Sequence, residues 1–170
     1  MTTSPASGVA RNRLGRLLLP ALAGALATAP LAAQAGEGAP VVAVATQGLS
    51  FGPLIPGVPE AVSVRDAARR AEVVLEGQGT VDVMIVLPRA LVSLGGGTIP
   101  LRFGAEDGAL VATASGEPML LDPHFSTRVR LTGGPAPARL LLGGTAVPAR
   151  EQPAGQYSTT IVVIISAAGT

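Results

Sequence analysis

The sequence predicts an all-β fold, a sandwich or barrel, on three observations. Apolar and polar residues alternate in several short runs, glycine and proline punctuate the chain between them, and no sustained helical period appears. Alternation at period two marks a strand with one buried and one wet face, because successive side chains point to opposite sides.

In chain order, "AEVVLEG" opposes Val73 and Leu75 to Glu72 and Glu76. "TIPLRFGA" sets Ile99, Leu101 and Phe103 against Thr98, Pro100 and Arg102. Pro100 cannot donate to a ladder, which predicts an edge strand or one beginning beside a bulge. "FSTRVRLTG" puts Phe125, Thr127, Val129 and Leu131 on one face and Ser126, Arg128, Arg130 and Thr132 on the other. Turn signals separate the runs at Gly77-Gln78-Gly79, Gly95-Gly96-Gly97, Asp107-Gly108, Gly133-Gly134-Pro135 and Pro153-Ala154-Gly155. Residues 65–72, "RDAARRAE", have helical composition, but so short a stretch makes only about two turns, so a loop with one helical turn is expected.

The last run, "QYSTTIVVIIS", is apolar on both faces. Tyr157, Thr159, Ile161, Val163 and Ile165 suit a core. Ser158 and Thr160 tolerate water on the other face, but Val162 and Ile164 ask for a cover. Tyr157 reads equally as a tyrosine corner, its hydroxyl closing on nearby backbone, and as a plain core residue. The cover is expected from residues 36–48. These 13 residues span about 43 Å fully extended at roughly 3.3 Å each, enough for one strand, "PVVAVAT". Pairing within its own chain is the expectation, and loan to a neighbour the alternative.

The N-terminus predicts export. Arg11, Arg13 and Arg16 precede an apolar run rich in Leu and Ala, which ends in Ala33-Gln34-Ala35, the small-x-small pattern of a signal-peptidase site. Residues 1–35 are therefore expected to be a signal peptide and residues 36–170 a single domain. The expected location is periplasm, cell surface or extracellular space, with no membrane span after processing. Removing the leader leaves nine arginines against eleven acids, so no basic field remains to attract nucleic acid. The chain has no Cys, which excludes disulfides and thiolate chemistry. With three Phe, one Tyr and no Trp, its core must be built from Val, Leu and Ile.

Candidate chemistry is thin. "GLSFG", residues 48–52, matches the nucleophile elbow G-x-S-x-G, which needs a helix after the serine. Pro53, Pro56, Gly57 and Pro59 forbid that helix, so Leu49 and Phe51 read as core residues of a strand with Ser50 facing out. His124, with Asp122 nearby, lacks the further ligands of a metal site and reads as an exposed turn residue. Glu106-Asp107-Gly108 lacks the spacing of a calcium loop and reads as a hairpin turn. "SLGGGT" and "LLLGGT" lack the Lys-Ser/Thr ending of a phosphate loop. No catalytic, cofactor-binding or metal-binding residue is predicted; the protein is expected not to be an enzyme and to need no cofactor.

Three stretches occur in a telling order: "LSFGPLIPG", "VDVMIVLP" and "LLLGGTAVPAREQPAGQYSTTIVVII". Together they resemble a family of secreted bacterial proteins catalogued as a domain of unknown function. They are similar, more distantly, to spore coat protein U and to archaic chaperone–usher pilin subunits. The most specific pieces are Leu49-x-Phe51-Gly52 and Pro153-Ala154-Gly155-x-Tyr157 followed by the Ile/Val run. The resemblance implies an immunoglobulin-like β-sandwich of two antiparallel sheets with a structural or adhesive role. Its implied partners are a second copy or a pilus assembly chaperone, through strand pairing. The chain departs from many pilin relatives in having no Cys pair and only a short N-terminal extension. The alternative from a different class is an extracellular binding module for a carbohydrate or protein ligand, a reading weakened by the scarcity of aromatics to stack on sugars.

Overall fold

The computed structural model describes residues 41–112 and 116–168. The expected leader, residues 1–35, and its cleavage point lie outside the described residues. The described residues form twelve strands in order: β1 (Val42–Gln47), β2 (Glu60–Val62), β3 (Ala71–Glu76), β4 (Gln78–Val86), β5 (Ala90–Val92), β6 (Thr98–Arg102), β7 (Gly108–Val111), β8 (Met119–Leu121), β9 (Thr127–Thr132), β10 (Ala138–Leu142), β11 (Gly144–Ala146) and β12 (Val162–Ala167). Among the described residues there is no helix, and the fold is all-β as the alternation requires.

The strands pair, always antiparallel, into three sheets where two were expected. Their orders are β1-β3-β10-β7-β8, β2-β11-β6-β5 and β12-β4-β9. The third sheet arises because two long runs change sheets midway. β3 passes into β4 through Gly77, whose φ of 135° is open to glycine but not to L side chains. β10 passes into β11 through Gly143, whose N–H donates to the Asp107 carbonyl at 2.7 Å.

The main core lies between the five-stranded and three-stranded sheets. Leu75, Leu110, Leu140 and Leu142 face Val81, Val83, Ile85, Val129 and Leu131. A second cluster gathers Phe51, Val62, Ile99, Leu101 and Ala146 inside the four-stranded sheet. On the outer face of the five-stranded sheet, Val64 covers Ala109, Val111 and Leu141. That explains why every residue of β7 is buried and why β7 does not alternate.

Several expectations need correction. Pro100 lies in β6, an inner strand flanked by β11 and β5. Its carbonyl accepts from Val147 N–H, while Leu101 N–H faces the other way, to Arg89. The proline nitrogen therefore points to where β11 has already ended at Ala146, and no ladder bond is asked of it. Phe125 is outside β9 and 69% exposed, held in a turn by its N–H to the Asp122 carbonyl. Asp107-Gly108 does not close a hairpin, since β6 and β7 belong to different sheets. Residues 48–52 are irregular rather than a strand, though Leu49 and Phe51 pack inward and Ser50 is exposed. In the 63–70 loop a single helical-type bond runs from Arg70 N–H to the Asp66 carbonyl.

Gly143 tests the sheet-changing geometry. A Cβ there would collide with the Val62 carbonyl oxygen and approach Val64 N to 3.1 Å, both backbone atoms that cannot swing aside. Gly143→Ala is expected to cost about 1–3 kcal/mol, read as a lower urea midpoint with an unchanged m-value.

Candidate functional site

One side of the sandwich is bounded by β1 and β12. β1 pairs with β3, from Val42↔Glu76 to Gln47↔Glu72 with a bulge between Ala45 and Gln47. This overturns the expectation that the segment covers the terminal strand: it pairs in its own chain, but with β3. Val162 and Ile164 are left 46% and 42% exposed, beside Val86 at 47% and Met84 at 44%. These four form two cross-strand pairs, Val162↔Val86 and Ile164↔Met84, on the outer face of the three-stranded sheet.

The inner face follows the expected alternation. Ile161, Val163 and Ile165 pack against the core but stay only partly buried. Across from them, β1 turns small residues inward. Val41 packs on the core and Ala45 lines a cavity, so Ala43 between them shares that face, and both alanines are exposed. Along one row of the five-stranded sheet the inward side chains shrink from Leu140 to Val73 to Ala45. The result is a cavity of about 1000 Å³ between the layers, floored by Ala71, Ile85, Leu140 and Leu142 and reaching Leu91, Ile99 and Leu101. Its described lining carries no charged residue.

The backbone of the terminal strand is satisfied on one side. Ala168 N–H donates to the Thr80 carbonyl at 3.1 Å, and Ser158 exchanges both its bonds with Val92. In an antiparallel ladder, bonded positions alternate, and the register from Val162↔Val86 to Ala167↔Val81 is unbroken. Val162, Ile164 and Ser166 therefore bond to β4. The N–H and C=O groups of Val163 and Ile165 point away from β4, to an edge that no described strand pairs.

Polar groups brace the lips of this groove. The Gln47 side-chain amide donates to the Ala67 and Arg70 carbonyls at 3.1 and 2.8 Å, tying the end of β1 to the 63–70 loop. That loop is held in turn by Arg69, which bridges Glu60 and Asp66. The Arg69 hydrogen bond keeps the Asp66 carboxyl below its ordinary range. At the other lip, the Tyr157 hydroxyl donates to the Pro153 carbonyl at 2.8 Å and accepts from Gln152 Nε2 at 2.8 Å. Of the two readings left open for Tyr157, the hydroxyl closure is thus present, and the ring also packs on the second cluster.

The residues weighed for chemistry do not converge. Ser50 is tied through its backbone N–H to the Arg69 carbonyl, and among the described residues no hydrogen bond links it to His124. His124 Nδ1 lies 2.8 Å from Asp122 Oδ1 in a surface turn. The His124 backbone N–H and then its ring hold the Asp122 carboxyl below the usual range. Asp107 Oδ2 accepts from Gly104 N–H as a turn residue does. Among the described residues no three His, Cys, Asp or Glu gather as a metal site would need. The cavity floor was not anticipated from sequence, although the doubly apolar terminal run was its signal.

Comparison with protein-family models, with curated proteins and with solved structures returned no match. The site therefore rests on its own geometry. Tyr157→Phe, which keeps the ring and deletes the hydroxyl, is expected to lower stability by about 1 kcal/mol, the net worth of a neutral hydrogen bond, as read by urea unfolding.

Proposed function

We propose that the protein is a secreted, non-catalytic structural or adhesive surface protein of immunoglobulin-like, pilin-like type, which takes up an extended strand from another polypeptide along β12. The proposal keeps the resemblance to spore coat protein U and archaic pilin subunits, and with it a second copy or an assembly chaperone as partner. It also keeps residues 1–35 as the leader.

The observation that carries this reading is a contrast between edges. Proteins blunt exposed strand edges with charges, prolines or short strands, because a bare edge templates pairing. On the far side, β9 carries Arg128 and Arg130, and Arg128 is clamped to Asp82 at 2.9 and 3.2 Å. Its partner edge β8 has three residues between Pro118 and Pro123. The two edges that flank the groove, β1 (VAVATQ) and β12 (VVIISA), carry no charge and no proline, and β12 pairs with β4 in an unbroken register.

A six-residue edge offers about 20 Å of ladder. Alternate side chains of an added strand would drop onto the inward alanines and the Ile/Val row, which is how β-augmentation gains both affinity and specificity. The carbohydrate-module alternative finds no comparable support, since of the two aromatics in the described lining Phe51 is buried and the Tyr157 hydroxyl is already taken by Pro153 and Gln152.

The test is an acetylated decapeptide of alternating Val and Thr, with a control carrying Pro at its fifth position. Linkage predicts that the first raises the melting temperature, by roughly 2–8 °C per kcal/mol of binding, and that the control does not. No shift with either peptide would refute strand acceptance.

A further inference from the structure

The terminal strand is complementary to itself. Its inward row is Ile161, Val163 and Ile165, its outward row Val162 and Ile164, and no charge stands anywhere from Tyr157 to Ala168. We infer that two copies of this chain pair edge to edge through β12, antiparallel about a twofold axis at Val163, and so cap each other's acceptor edge when no donor strand is present. The inference rests on the same unpaired edge as the proposed function, but it requires no donor.

The register follows from the backbone. Within β12 the odd-numbered residues direct N–H and C=O away from β4, so an antiparallel partner must meet them at odd-numbered positions, a parity that Ile161 would join as the partner extends the ladder. An axis at Val163 sets Val163 against its own copy and Ile161 against Ile165 on both sides. All three odd-numbered residues of the apolar run then bond. An axis at Ile164 would set Val163 against Ile165 but Ile161 against Ala167, and an axis at Ile165 would set Val163 against Ala167.

The outer face agrees with this choice. With the axis at Val163, Ile164 lies beside Val162 of the second copy. The existing pairs Ile164↔Met84 and Val162↔Val86 then continue into two apolar rows, each four residues wide. Cross-strand apolar pairs of this kind favour a sheet, whereas like charges directly opposite would oppose it. The Asp82–Arg128 pair and Arg130 lie further along the ladder and on β9, outside both rows. β1, uncharged as well, sets no like charges against the approaching copy.

Light scattering on the purified chain over a wide concentration range tests this. Mass rising from one subunit towards two is expected, falling back to one when the Val/Thr decapeptide is added. Ile164→Lys places a charge beside Val162 of the other copy but leaves the inward row untouched. It should remain a monomer at every concentration while keeping the melting shift with peptide. Val163→Pro removes an outward N–H and trims an inward side chain but deletes no bond to β4; with a cooperative melting transition retained, it should lose both the dimer and the peptide response. A wild-type chain that stays monomeric throughout overturns the inference, and so does a dimer that persists in both variants. Loss of the peptide response in Ile164→Lys would count against the strand-acceptor reading instead.

Discussion

The structure turns on a backbone whose hydrogen bonds are met on one side only. Along β12, even-numbered residues bond to β4, while Val163 and Ile165 offer their amides to an edge that no described strand takes up. A buried strand would have both sides paired, and a surface edge would be blunted. β12 is neither, and its uncharged sequence leaves the edge available.

The rest of the fold is arranged around that edge. Switching sheets at Gly77 and Gly143 brings β4 and β11 out of the five-stranded sheet, so β12 has a neighbour on one side. The shrinking row from Leu140 to Ala45 leaves space where a further strand's side chains would fit, and Gln47 and Tyr157 hold the two lips by bonds to loop carbonyls. Arg69 braces the 63–70 loop and Arg128 guards the opposite edge, both away from the groove-facing edge of β12. An apolar cavity with rigid polar lips and no charge in its described lining suits an extended apolar chain better than a polar ligand.

Much of this was legible in the sequence because period two states which side chains share a face. The inward sets Val73/Leu75, Ile99/Leu101, Val129/Leu131 and Ile161/Val163/Ile165 follow from alternation alone. So does the unease about Val162 and Ile164. Period two says nothing about which strand lies beside which, and the errors fall there. β1 was expected beside the terminal strand and lies beside β3; Pro100 was expected at an edge or beside a bulge and sits in an inner strand whose neighbour stops short. Phe125 continued the pattern of β9 by one step too many, because the Asp122 turn captures it first. The cavity was invisible because it is defined by side chains from seven strands and two loops, and only tertiary pairing assembles them.

Hydrogen exchange of individual amides, measured at a dilution where the chain is monomeric, tests the central claim most directly. The account predicts alternation along the terminal strand: Val162, Ile164, Ser166 and Ala168 protected by β4, with Val163 and Ile165 exchanging orders of magnitude faster. Equal protection of Val163 and Ile165 in the monomer would mean that the edge is already paired, and would contradict it.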